Sequence, residues 1–260
     1  MLTYVFAYQA AGPRSTRRPR FLSRLFRNVV LFRGQPEDRP LVPKIGRLKI
    51  DRPVIEAEKV VLDFFKQQSL PFLERAPVSE WEWLAIAQHH GLPTRLLDWT
   101  LNPLVALWFA VRSPCTGRRN GVVWAFKPNS DDYVNDAHDD PFSGDRTKVF
   151  RPPHVAQRIR AQAGYFTVHQ YLDKSGRFVP FERITSYQPR LTKLIVSPSA
   201  FADIRFRLDQ YGVNHSIVFP GLDGLSGYIE WLHTYLDDEK NLRREFDPNT
   251  GRWGWKNPRR

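Results

Sequence analysis

From residue 28 onward, apolar positions switch repeatedly between helical and strand spacing. NVVLFRGQ (Asn28–Gln35) reads as a strand ending at Gly34. In PVIEAEKVVLDFFKQQS, Val54, Ile55, Ala57, Val60, Val61, Phe64 and Phe65 recur every three or four residues, which predicts a helix. A second helix follows in PVSEWEWLAIAQHHG, with Ser79 as its N-cap and Gly91 as its stop. TRLLDW is a short strand. NPLVALWFAVR is a helix capped by Asn102 with Pro103 at its first position. It is apolar nearly all round, so most of its sides are buried. Later strands are predicted at GVVWAFKP, YFTVHQYL and LTKLIVSP. Helices are predicted at SAFADIRFRLDQYG, stopped by Gly212, and at LDGLSGYIEWLHTYL, capped by Asp223. The acidic NSDDYVNDAHDDPFSGDR has little to bury and reads as a loop. Strands and helices interleave without repeat or long linker, which predicts one mixed α+β domain.

Composition agrees with a packed interior. Eight tryptophans, nine tyrosines and eighteen phenylalanines in 260 residues exceed what disordered chains carry. The net charge of +12 is uneven: RSTRRPRFLSRLFR (Arg14–Arg27) holds six arginines and no acid, and RREFDPNTGRWGWKNPRR is basic as well. These ends either contact phosphates or an acidic surface, or simply keep the chain soluble. One cysteine, Cys115, excludes an internal disulfide and a cysteine-rich zinc site. No apolar run reaches transmembrane length, and MLTYVFAYQAAG lacks the order of a signal peptide, so a cytoplasmic location is expected.

Chemistry concentrates in QHHGLPTRLLDWTLNP, residues 88–103. His90 falls at helical spacing from Trp83, Ile86 and Ala87, on an apolar face, and is either a core histidine or a site residue. His89 diverges from it round the helix, and no H-x-x-x-H spacing is present, so no metal is expected. Asp98 sits between Leu96, Leu97 and Trp99, where a carboxylate is costly unless paired. Arg33 is one candidate partner, and Arg95 is another if the strand bends at its start. Such a pair either fixes strand register or holds an arginine ready to clamp phosphate. Thr100 and Asn102 precede a helix N-terminus, which favours anions, but no P-loop follows. Gln162 precedes Gly164 in RIRAQAGYFTVHQ, and Glu182 is a candidate general base.

LFRGQ, WLAIAQHHGLPTRLLDWTLNPLVALWFA, RIRAQAGYFTVH and FPGLDGL, in that order, resemble the FRG-domain family, named for Phe32, Arg33 and Gly34. The resemblance runs over 28–235, leaving a basic N-terminal arm, 1–27, and a basic tail, 236–260. It implies a layout like that of ADP-ribosyltransferases, a split sheet with flanking helices. It also implies NAD as the substrate and Arg33 as the phosphate arginine, with Thr100 in the Ser/Thr place and Gln162 in the third. That third place is usually glutamate, which stabilises the oxocarbenium-like state as nicotinamide leaves; RIRAQAGYFTVH contains none. The implied cofactor-binding set is Arg33, Gly34, Arg95, Thr100 and Asn102, and the catalytic set is His90, Asp98 and Gln162. The expected function is ADP-ribosyl transfer to an anionic protein or nucleic-acid acceptor, in an intracellular toxin or phage-defence effector. A non-catalytic nucleotide or nucleic-acid binding module and a hydrolase built on Asp98 and the histidines are the alternatives.

Overall fold

The structure, a computed structural model, describes residues 29–114, 119–135, 139–152 and 164–240, and the backbone of 243–247 and 252–256. The predicted elements form, with shifted ends. The strands are β1 (Leu31–Gln35), β2 (Leu96–Thr100), β3 (Gly121–Phe126), β4 (Lys148–Phe150), β5 (Gly164–Val168) and β6 (Leu191–Val196). The helices are α1 (Val54–Ser69), α2 (Glu80–His89), α3 (Pro103–Val111), α4 (Phe201–Gln210), α5 (His215–Val218) and α6 (Leu222–His233). β4, which was not expected, begins two residues after the acidic segment read as a loop. A hairpin of β7 (Arg243–Asp247) and β8 (Arg252–Lys256) lies in the stretch read as a basic tail.

Local chemistry sets the helix ends where it was expected to. The Ser79 hydroxyl accepts from the Glu82 amide at 3.2 Å. Asn102 Oδ1 accepts from the amides of Leu104, at 2.9 Å, and Val105. Gly91 and Gly212 adopt φ of +81° and +75°, which stops α2 and α4. Asp223 does not cap α6; Gly221 occupies the N-cap and offers no side chain.

The six strands form one antiparallel sheet in the order β4-β5-β2-β1-β3-β6. β1 pairs with β3 from Leu31↔Phe126 to Gln35↔Val122, and β2 pairs with β5 from Leu96↔Val168 to Thr100↔Gly164. Between β1 and β2 there is a single pair, Phe32↔Thr100. The sheet is therefore two three-stranded halves that meet at one point and part beyond it. On one face a single cluster spans both halves, joining Leu31, Trp124 and Phe126 to Leu97, Trp99 and Tyr165. On the other face the core is divided. α3 and α4 pack on the β1–β3 half through Val105, Ala106, Val123 and Phe201. α1 and α2 pack on the β2–β5 half through Leu62, Leu84, Leu96 and Phe166. A cleft opens between those two groups.

The second half carries a buried ion pair. Arg95, with no exposed surface, donates from Nε to Glu58 Oε2 at 2.7 Å, and its amide donates to Glu58 Oε1 at 2.6 Å. The guanidinium also reaches Gln170 Oε1 and lies 4.9 Å from the centre of the Phe142 ring. Burial pushes the Glu58 carboxyl above its ordinary pKa, opposed by Arg95. Glu58→Ala would strand a buried guanidinium, and such a loss costs about 3–5 kcal/mol. Urea titration should show that drop; a loss under about 1 kcal/mol would mean the pair only fixes register.

Candidate functional site

The cleft has a volume of about 660 Å³, and both sheet halves line it. Alternation along β1 points Arg33 to the face of the shared cluster, whereas Phe32 and Gly34 turn to α3. Across the gap, Arg33 Nη1 donates to the Asp98 carbonyl at 2.7 Å, where no β1–β2 backbone pair forms. The same nitrogen stands 3.5 Å from the Asp98 carboxylate. Burial lowers the Arg33 pKa, Asp98 opposes the change, and Arg47 adds to it. Arg33 Nε is buried and has no hydrogen-bond partner among the described residues.

Asp98 differs from the expected buried acid: 57% of its side chain is exposed. It sits where β2 leaves β1 and is open to the cleft. Two groups orient it. Gln88 Nε2 donates to its Oδ2 at 2.9 Å, and Arg33 stands on another side. Gln88 is fixed in turn by the Thr94 hydroxyl, which donates to its Oε1 at 2.6 Å. The pairing of Arg33 with Asp98 was legible from the two strands; the part played by Gln88 was not.

His90 is not on the buried face. α2 ends at His89, so His90 leaves the helical period with φ −84° and ψ 9° and stands exposed at the cleft. The two imidazoles, expected to diverge, meet edge to face with centroids 4.9 Å apart. Thr100 lines the cleft and its hydroxyl accepts from the Asn102 amide at 3.0 Å.

Three members of the expected cofactor-binding set have other work. Arg95 is sealed against Glu58 and does not line the cleft. Asn102 is the cap of α3, and its carboxamide already accepts from the first free amides of that helix. Gly34 borders the cleft, but its missing side chain is needed by α3, whose Ala106 and Ala110 backbone lies against it. Glu182 accepts from the Leu41 amide and lies outside the cleft. Gln162, Cys115 and the basic arm lie outside the described residues.

Sequence reasoning passed over most of the cations here. Arg39, Lys44, Arg47 and Arg112 line the cleft with Arg33. Arg39 and Arg119 share Glu37, and Lys44 donates to the Gly91 carbonyl at 2.6 Å. Arg47 sits in a 3-10 turn (Ile45–Arg47) tied to the loop before β2 by the Ile45 amide, which donates to the Thr94 carbonyl. Arg47 and Arg112 form no ion pair among the described residues. Burial lowers the pKa of both, with Arg39 adding to the effect at Arg47. A cleft with this balance attracts an anion and keeps one carboxylate open beside it.

Behind β2, His169 is fully enclosed: its Nε2 is 3.0 Å from the Thr167 hydroxyl, which also accepts from Trp99 Nε1 at 2.9 Å. Burial, then Arg33 and Arg95, push its pKa down to about 3 from an ordinary 6.5. The folded state thus binds fewer protons than the unfolded one between those values. This contribution to stability is full above about pH 6.5 and is lost as pH falls toward 3. One such group adds a slope of at most about 1.4 kcal/mol per pH unit. Denaturant titrations at pH 7.5, 6 and 5 should show a shallower fall in His169→Gln than in the parent; parallel lines would rule the imidazole out.

Among the described residues no helix is long and apolar enough to cross a membrane, and no three of His, Cys, Asp and Glu gather at metal-binding distance. No curated protein and no solved structure matches the chain. A family model matches 28–119, the stretch that holds β1, most of the cleft lining, and Arg33, Gln88, Asp98 and Arg112. Arg33 at the parting of the sheet and Gly34 beneath α3 explain why the stretch needs the tripeptide Phe32-Arg33-Gly34: the chain contains an FRG (Phe-Arg-Gly) domain.

Proposed function

We propose that the cleft binds NAD and transfers its ADP-ribosyl group to an anionic macromolecular acceptor. The observation that carries this reading is Asp98, an open carboxylate held by Gln88 and Arg33 among Arg39, Lys44, Arg47 and Arg112. Cations alone would serve any phosphate. A carboxylate among them works against anion binding, so its presence points to a positive charge that it serves.

The residues fit the ligand. Arginine and lysine suit a pyrophosphate, and Phe32 and Phe109 are among the apolar residues that line the cleft. When bound, NAD supplies a glycosidic bond whose cleavage releases neutral nicotinamide and builds positive charge at the anomeric carbon. Asp98 stabilises that charge electrostatically, the task assigned elsewhere to a third-strand glutamate. Gln88 keeps its carboxylate oriented, and Arg47, which forms no ion pair among the described residues, holds phosphate. His90, open at the cleft, takes the proton from the attacking acceptor. The net charge of +12 favours an acceptor such as a nucleic acid or an acidic protein. Such a reaction suits a toxin or antiviral effector.

The test is nicotinamide release from labelled NAD by the purified chain, with and without DNA, RNA or cell protein. Release with label moving to a macromolecule is expected, and Arg47→Ala should raise KM about tenfold while leaving the fold intact. NAD binding without release in any mixture would favour the binding-module reading, and absence of binding would overturn both.

A further inference from the structure

Arg112 has an unusual position. It ends α3, it lines the cleft, and it also lines a second hollow of about 230 Å³ between α3, α4 and α6. Its guanidinium lies 5.8, 5.4 and 6.0 Å from the ring centres of Trp108, Phe109 and Phe219. Those rings hold the cation in place, and its guanidinium makes no hydrogen bond among the described residues. The hollow beyond has aromatic walls, Trp108 and Trp231, with His215 against Trp108 at a centroid distance of 5.7 Å. It also holds two carboxylates, Asp209 and Glu230. Glu230 forms no ion pair among the described residues, and Asp209 accepts from Asn214 Nδ2. The hollow falls below the size of a whole ligand site, and it suits one ring system of a longer ligand.

We propose that a nucleotide runs from the cleft past Arg112 into this hollow, its phosphate on Arg112 and its amino-bearing purine base between Trp108 and Trp231. Flat aromatic walls suit a base, and an exocyclic amine donates to a carboxylate. The proposal rests on the nucleotide reading of the cleft and says which end of the ligand lies where.

Calorimetry with adenosine diphosphate and with inorganic pyrophosphate separates the parts, since it needs no turnover. Arg112→Ala should weaken both about tenfold. Arg112→Lys, which keeps the charge and a stem over the rings, should recover part of that affinity. Thr234→Trp, which fills the hollow from its rim, should weaken the diphosphate about tenfold or more and leave pyrophosphate within about twofold. Unchanged diphosphate affinity in Thr234→Trp would overturn the base subsite, and unchanged affinity in Arg112→Ala would overturn the phosphate contact. If Arg47→Ala alone weakens binding, the cleft reading stands and this one falls. Failure of the parent to bind either compound overturns both.

Discussion

Gly34→Ala should destabilise the chain severely. A Cβ on Gly34 would overlap the Ala106 carbonyl oxygen and sit 2.8 Å from both the Ala106 carbonyl carbon and the Ala110 nitrogen. These are backbone atoms of α3, so no side chain can swing aside. Relief requires the helix to lift off β1, taking Val105, Ala106 and Ala110 out of the cluster they share with Val123 and Phe201. Overpacking of a yielding core costs about 1–3 kcal/mol; against rigid backbone the expected loss is about 4 kcal/mol or more, much of a typical domain's stability. Gly91→Ala supplies the contrast. Gly91 has φ +81° and nothing within 4 Å of a built Cβ, so its cost is conformational, about 1–2 kcal/mol. Thermal melts of the two variants should differ widely. Similar melting temperatures would show that α3 is not seated on Gly34.

Asp98→Asn should lower kcat for nicotinamide release by about 100-fold or more while KM stays level or falls. The amide is nearly isosteric and can still accept from Gln88 Nε2, so the local bonding survives. What disappears is a negative charge from a cationic cleft, and an anionic ligand then binds at least as well. A residue that only braced Arg33 would behave differently, with weaker binding and a lower melting temperature. Gln88→Ala gives a graded check, because it removes the orienting bond and keeps the charge: its kcat should fall about tenfold. An unchanged kcat in Asp98→Asn would remove Asp98 from the chemistry.

Features that depend on neighbours in sequence were legible. Ser79, Asn102-Pro103, Gly91 and Gly212 act within a turn of their own positions, and each ends a helix where it was read to. Arg33 and Asp98 were matched because each is the charged residue of an otherwise mostly apolar strand. Arg95 was misplaced because its partner is 37 residues away on α1. A hint existed, since Glu58 follows Ala57 and lies four residues before Leu62 on the face that α1 buries. Gly34 shows a different limit: a ligand and a helix backbone make the same demand for a missing Cβ. His90 was read by a helical period that stops one residue before it. Arg47 and Arg112 carry no local signal, since their meaning comes from lining the cleft without an ion pair among the described residues.

The one-pair junction between β1 and β2 has a thermodynamic corollary. A ligand that contacts Arg33 and Asp98 touches both halves at once and acts as a staple where the backbone supplies a single bridge. Occupancy and closure of the seam are then linked quantities, and whatever tightens one must tighten the other by the same free energy. A bound molecule would therefore slow amide exchange along the seam before anywhere else in the sheet.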